Sequence, residues 1–177
     1  MEANPVNLVN DTQAIESRIR KKKRIRIDDE SLTTGLSLNI RCAQGIDKPN
    51  PDPWVFKRQY CVVYWVNPNE LFRTEFVDCI LNPHWDERDL MMLGNSCDNY
   101  GFLNVEVLRT GSLEDPGTSN GFRVVGRARI SLPKEFHRES KGCFGLVRME
   151  DGELNCDGFI VLSMELQRVR MISDACF

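Results

Sequence analysis

The fold is decided by an alternating stretch, LSLNIRC, at Leu36–Cys42. Leucine, leucine, isoleucine and cysteine occupy every second position, and serine, asparagine and arginine lie between them. Successive side chains of a β-strand point to opposite faces, so a period of two predicts a strand with one buried face. The folded part of this 177-residue chain is therefore expected to open with a half-buried strand.

Similar segments follow along the chain. A loop with three closely spaced prolines, GIDKPNPDPWVFKR at 45–58, comes first, and proline cannot continue a strand ladder. Segments rich in β-branched and aromatic residues then recur between turn-forming residues, and one helical turn is predicted after Pro133. The seven further strands are predicted at Gln59–Val66, Arg73–Val77, Arg88–Leu93, Phe102–Arg109, Phe122–Leu132, Cys143–Met149 and Gly158–Gln167. Eight short strands with almost no helix predict an all-β chain, an eight-stranded antiparallel β-sandwich.

The N-terminal region has a different composition. Its segment RIRKKKRIRI, at 18–27, holds seven basic residues and no acidic one, on a chain whose formal net charge is −3. The first 30 residues contain no aromatic residue. We therefore predict a mobile basic tail at 1–33, a folded domain at 34–169 and a C-terminal extension at 170–177. The basic residues of the tail are Arg18, Arg20, Lys21, Lys22, Lys23, Arg24 and Arg26.

The motifs of enzymes and metal sites are missing from the sequence. It has no G-x-S-x-G elbow, phosphate-binding glycine loop, H-E-x-x-H or C-x-x-C, and it holds only two histidines. Seven cysteines without a secretory signal are typical of reduced thiols. Cys79 and His84 lie near each other in sequence, but a structural role is favoured over a catalytic pair. The chain is predicted to be no enzyme, with no catalytic residue, metal, cofactor or small-molecule substrate.

The order of the motifs resembles that of the C2 domain family. LSLNIRCAQGI precedes a loop, QYCVVYWVNPNELFRTEFV follows it, and FLNVEVLR and VVGRARISL resemble the strands around the family's third calcium loop. The family's Asn-Pro-x-Trp-x-Glu corner is matched by Asn82, Pro83, Trp85 and Glu87. The late segment GELNCDGFIVLSMEL resembles small plant single-C2 proteins of the cold-induced and BONZAI-associated type. The resemblance covers about Leu36–Val169 and implies a C2-like sandwich.

The resemblance also implies where calcium would bind, and this chain departs from the family there. Gln59 stands where an aspartate precedes the tyrosine, and Leu108-Arg109-Thr110 stands where the family has Asp-x-Asp. Ca²⁺ takes about six to eight oxygen ligands, several of them charged. We therefore predict a calcium-independent domain. The carboxylates that would form a weak site by chance, which is the alternative, are Asp47, Asp52 and Asp115.

The basic tail is the main candidate for a functional site. The family's second lipid-binding device, a basic sheet face, is replaced here by the acidic segment NPNELFRTEFVD at 67–78. The tail is therefore predicted to bind anionic phospholipid, and a nuclear import signal is the equal competitor. A solvated tail without a partner is the third interpretation. Nucleic acid is not an expected partner.

Loop one, at 45–57, carries two aromatic residues, Trp54 and Phe56, at the edge that faces membranes or partners in C2 domains. They are expected to be contact residues, and packing against their own loop is the alternative. The predicted function is a non-catalytic adaptor on the cytoplasmic side of the plasma membrane, with a protein partner in plant stress or defence signalling. The alternative is a soluble interaction domain, located in the nucleus if the tail is an import signal.

Overall fold

The structure is a computed structural model that describes residues 32–47, 58–94, 100–110, 121–150 and 152–171. Within these ranges the chain forms nine β-strands and no helix. The described residues therefore contain no helix that could cross a membrane. Residues 32–169 form one compact unit. The strands are β1 (Leu32–Gln44), β2 (Arg58–Trp65), β3 (Phe72–Arg73), β4 (Val77–Cys79), β5 (His84–Gly94), β6 (Phe102–Thr110), β7 (Phe122–Ser131), β8 (Ser140–Glu150) and β9 (Glu153–Arg170).

The strands form one curled antiparallel sheet in the order β3-β2-β6-β7-β8-β9-β1-β5, and β4 also pairs with β2. One half contains β8, β9, β1 and β5, and the other contains β2, β3, β4, β6 and β7. The pairing of Arg127 with Val147 joins the two halves between β7 and β8. The predicted all-β sandwich is confirmed, with nine described strands in place of eight.

The core lies between the two halves and follows the predicted alternation. Leu36, Leu38 and Ile40 on β1 are buried, as the period of two requires. The facing strands contribute aromatic and aliphatic side chains, which is why the segment QYCVVYWV reads as nearly continuous apolar sequence. The largest fully buried side chains include Tyr60, Tyr64, Leu103, Ile160, Leu162 and Met164.

The segment predicted as one strand at Arg73–Val77 is two short strands, β3 and β4. The cause is Thr74, which lies between them and is buried. Its amide donates to the Val62 carbonyl at 3.0 Å, and its hydroxyl accepts from the Val62 amide at 2.9 Å. The hydroxyl also donates to the Glu75 carbonyl at 3.1 Å. A side-chain oxygen therefore replaces a backbone acceptor, and the ladder is interrupted without an unsatisfied amide.

Other details of the secondary structure also differ from the predictions. β1 begins at Leu32, inside the predicted tail, and β5 begins at His84 and not at Arg88. Trp85 therefore lies in β5, where its indole N–H donates to the Tyr60 carbonyl at 3.3 Å. The helical turn predicted after Pro133 is wrong, because residues 132–139 contain no helix. Phe136 instead forms an isolated bridge with Leu166 of β9.

Candidate functional site: an arginine cluster at one end of the sandwich

Loop one and the connection between β6 and β7 lie at the same end of the sandwich. We call it the loop-one end, and four strands begin or end there. β1 ends there at Gln44, β2 begins at Arg58, β6 ends at Thr110 and β7 begins at Phe122. Strand pairing aligns these positions, since Tyr60 lies opposite Arg109, and Arg109 lies opposite Arg123. Polar side chains at the strand ends are thereby brought together.

Asp47, the loop-one carboxylate nearest to β1, is held by two arginines. Its Oδ2 lies 2.6 Å from Nη1 of Arg58 and 2.9 Å from Nε of Arg109. The hydroxyl of Tyr60 donates to the same oxygen at 3.1 Å. The side chains are largely buried, with 13% of Asp47 and 6% of Arg109 exposed. A charge in such surroundings needs an opposite charge, and here two guanidiniums supply it.

Burial and charge also affect the ionisation of the groups around Asp47. Burial raises the pKa of Tyr60 to about 12, and the neighbouring carboxylate adds to the increase. Burial lowers the pKa of Arg58, but Asp47 and Tyr60 together outweigh this effect, so the net pKa is raised. At neutral pH, Tyr60 is therefore a neutral hydrogen-bond donor and Arg58 is a cation. Neither group is suited to accept a proton in a reaction.

A second arginine network holds the adjoining part of the loop-one end. Nη1 of Arg148 donates to the Ile46 carbonyl at 2.8 Å, and its Nη2 lies 3.2 Å from Oε2 of Glu150. The Asn155 amide donates to the same Glu150 oxygen at 3.0 Å. The exposed carboxylate of Asp157 lies 4.0 Å from Arg148. Arg148 thus connects the start of loop one to the β8–β9 hairpin.

The start of loop one also touches β9 through the main chain. Gly45 has a φ of +64°, and a Cβ placed there would lie 2.8 Å from the Asp157 carbonyl oxygen. A Cβ at Gly158 would lie 3.0 Å from the Gly45 carbonyl oxygen. Both positions require glycine, because a side chain would force the two backbones apart.

A cavity of about 150 Å³ lies between the two arginine networks. It is lined by charged and apolar side chains, which include Asp47, Arg109, Arg123, Arg148, Met149 and Glu150. Arg58 contacts Asp47 from beside this cavity. We call Arg58, Arg109, Arg123 and Arg148 the arginine cluster.

The arrangement differs from a cation site in its chemistry. A bound Ca²⁺ would need Asp47 as a ligand, but that carboxylate already faces two positive charges. The backbone N–H of Gln59 donates to the hydroxyl of Thr110 at 3.3 Å, and the family resemblance implied carboxylates at both positions. Among the described residues no group of three or more His, Cys, Asp or Glu side chains could hold a metal ion. Asp52 and Asp115 lie outside the described residues.

The predicted site residues fall outside the part of the chain that the structure describes. This applies to the seven basic residues of the tail and to Trp54 and Phe56 in loop one. From the sequence, Arg109 was noted only as a cation in the segment where the family has carboxylates. Arg58, Arg123 and Arg148 were not identified as site residues. The sequence did hold a signal for this cluster. Three of the four arginines occupy the first two or last two residues of strands that border loop one or the β6–β7 connection.

Comparison with known proteins adds evidence on the fold. No family model and no curated protein matches the sequence. The structure is similar to the first C2 domain of plant extended synaptotagmin 1, with a TM-score of 0.55 and 12% identity over 80% of this chain and 98% of that one. It is similar to the calcium-bound pair of C2 domains of extended synaptotagmin 2, with a TM-score of 0.53 and 16% identity over 94% of this chain and 51% of that one.

Two larger proteins are also similar in part. CC2D1B gives a TM-score of 0.54 and 14% identity, over 89% of this chain and 70% of that one. Human GIVD cytosolic phospholipase A2 gives 0.52 and 8% identity over 78% of this chain, which spans only 18% of that enzyme. At such identities the likeness concerns the fold alone. Together with the strand order and the alternating core, it shows that the chain has the C2 fold.

Proposed function

We propose that the chain is a non-catalytic C2 module that associates with anionic membranes without calcium. The observation that carries the proposal is the pairing of Asp47 with Arg58 and Arg109. In a calcium-dependent site this carboxylate would hold the ion, and the ion would contact the anionic lipid. Here it serves to neutralise buried arginines, so lipid attraction has to come from protein cations.

The basic tail supplies most of the cations in this proposal. Each Lys or Arg near an anionic leaflet contributes about 1 kcal/mol, so seven of them contribute several kcal/mol. The attraction is electrostatic and is therefore reduced by salt. We place the protein on the cytoplasmic side of the plasma membrane, with a protein partner in the plant stress or defence signalling that the resemblance to small plant C2 proteins implies.

The test is pelleting of the full chain with phosphatidylserine vesicles, in calcium and in chelator. We expect strong binding at low salt and weak binding at about 0.5 M salt, where the Debye length is about 4 Å. Replacing Lys21, Lys22, Lys23 and Arg24 together with Ala, the quadruple tail variant, should remove most of it. Binding that requires calcium, or that survives the quadruple change at full strength, would overturn the proposal.

The second candidate is a nuclear interaction domain, favoured by the sequence KKKR within the basic run. A fluorescent fusion of the intact chain separates the two candidates. The membrane proposal expects fluorescence at the cell periphery that becomes diffuse in the quadruple tail variant. The import proposal expects nuclear fluorescence that becomes cytoplasmic, together with weak vesicle binding at physiological salt.

A further inference from the structure

A second cavity lies where β7 and β8 separate, at the side of the sandwich. In the described part of the chain these strands pair only at Arg127 and Val147. Continuation of that register would place Arg129 opposite Gly145, but no such pairing is formed. A cavity of about 440 Å³ is lined by both strands at this point and by residues of β2 and β6. Its volume lies within the range of about 300–1,000 Å³ that is usual for ligand-binding clefts. We call it the β7–β8 cleft.

The separation of the strands leaves backbone groups available in the cleft. β7 is paired with β6 on its other side, and β8 is paired with β9. The backbone groups of a strand point alternately to its two sides, so those of residues 128–131 that point toward β8 face no neighbouring strand. None of the remaining backbone hydrogen bonds between described residues involves these four residues. Such an edge can accept a further strand from another chain.

The charged side chains of the cleft favour an acidic ligand. Arg127 is paired with Glu106, whose Oε1 lies 2.7 Å from its Nε. Arg129 is exposed and lies over the ring of Phe102, 3.9 Å from the ring centre. It forms no ion pair with a described residue. The described lining therefore holds two arginines and one glutamate, and the second guanidinium can accept a carboxylate from a ligand.

Aromatic surface and open space complete the cleft. Trp65, on β2, is half-buried, and its indole N–H donates to no described residue. Phe102 is exposed beside it on β6. Tryptophan and arginine are the side chains most often found at the energetic centre of protein interfaces. On the β8 side, a Cβ added at Gly145 would meet no atom within 4 Å, so the cleft has room for an added strand.

We propose that the β7–β8 cleft binds an extended acidic segment of a partner protein, which adds as a strand to the free edge of β7. Backbone hydrogen bonds to residues 128–131 hold the segment. Every second side chain of an added strand lies on the outer face of the sheet, so an acidic residue there pairs with Arg129 across the strands. A basic segment would be repelled. This inference rests on the proposed function only for the existence of a protein partner, and it adds the partner's chemistry and its site.

The test uses the full chain with the quadruple tail changes, so that acidic peptides are not attracted by the basic tail. Random peptides of about ten residues, the length of a long strand, are selected on this protein by phage display. We expect enrichment of acidic residues at every second position. A synthetic peptide of the enriched sequence should bind about tenfold more weakly to Arg129→Gln, since a hydrogen bond between charged groups is lost. Arg138→Gln is the matched control, because Arg138 is an exposed arginine that does not line the cleft.

Two further measurements test the added strand itself. Gly145→Leu fills the cleft and should weaken peptide binding at least about tenfold, with an unchanged Tm because the new side chain enters open space. Two versions of the peptide carry methyl groups on alternate backbone nitrogens, in the two possible phases. The version methylated on the side that faces β7 should lose binding, and the other should keep it. Hydrogen exchange at residues 128–131 should slow only with a peptide that binds.

Several outcomes would overturn the inference. They are selection of no acidic peptide, equal peptide binding to the parent and Gly145→Leu, equal losses in Arg129→Gln and Arg138→Gln, and equal binding of the two methylated peptides. Weaker pelleting of Arg129→Gln and Gly145→Leu with phosphatidylserine vesicles, without any selected peptide, would instead indicate that the cleft faces a membrane. Peptide binding in a chain whose tail does not bind vesicles would support this site and overturn only the proposed membrane association.

Discussion

Replacing Asp47 with asparagine tests the role of the carboxylate most directly. The substitution keeps the size of the side chain and one oxygen acceptor, but it removes the negative charge. Arg58 and Arg109 would then lie close together, with 15% and 6% of their side chains exposed and no shared counter-charge at Oδ2. The parent structure places both guanidiniums within 2.9 Å of that oxygen.

The expected cost follows from this burial. Removing one partner of a buried ion pair typically costs about 3–5 kcal/mol. The lower end, about 3 kcal/mol, applies here because Arg58 retains some contact with water and asparagine still accepts from Tyr60. For a domain of this size about 3 kcal/mol lowers the Tm by roughly 10 °C.

Urea unfolding followed by tryptophan fluorescence gives the free energy of unfolding, and the slope against urea should not change. Asp78→Asn, at an exposed aspartate on β4 at the same end, should change the free energy by less than about 0.5 kcal/mol. Adding Arg109→Met to Asp47→Asn should recover part of the loss, with a coupling above about 1 kcal/mol. A loss below about 0.5 kcal/mol for Asp47→Asn would refute the reasoning, as would a calcium-induced rise in Tm that Asp47→Asn abolishes.

Three further changes test the fold. Thr74→Val should lower the free energy of unfolding in urea by about 1–3 kcal/mol, because it leaves the buried Val62 amide without an acceptor. Thr74→Ser keeps the hydroxyl and should cost less. Equal losses in the two variants would show that the hydroxyl is unimportant. Burial raises the pKa of Tyr60 to about 12 and raises the pKa of Tyr64 as well, so the folded state prefers the protonated phenols. Stability that is present below about pH 10 should fall as pH rises to about 12, by about 2 kcal/mol for Tyr60 alone, and a double Tyr→Phe variant should show a smaller fall. Gly126→Ala places a Cβ 2.9 Å from Leu146 Cβ, so calorimetry should show a loss of about 1–3 kcal/mol, and an unchanged Tm would mean that β7 and β8 separate easily there.

Features set by neighbouring residues could be predicted from the sequence, and features set by residues distant in sequence could not. The alternation at Leu36, Leu38 and Ile40 was readable because burial of one strand face is a local pattern. The interruption at Thr74 could not be predicted from the sequence. A threonine within a strand and a threonine whose hydroxyl replaces a backbone acceptor occur in the same kind of local sequence. A β-branched residue is equally typical of both.

The arginine cluster shows the same limit for the site. The sequence identified Asp47 as a loop carboxylate and Arg109 as a cation at a carboxylate position, each by itself. Their contact joins β6 to the start of loop one, and such a pairing follows from the strand order and not from a local motif. Arg148 donates to the carbonyl of Ile46, and these two residues are even farther apart in sequence.

The contact between Gly45 and Gly158 has a consequence for how this protein can diversify. The chain leaves β1 in a direction set by two touching backbones. A change between Asp47 and Arg58 that keeps both glycines therefore leaves this backbone contact as it is. Recognition can evolve in that segment separately from stability, and new loops can be grafted between Asp47 and Arg58 provided that both glycines are kept.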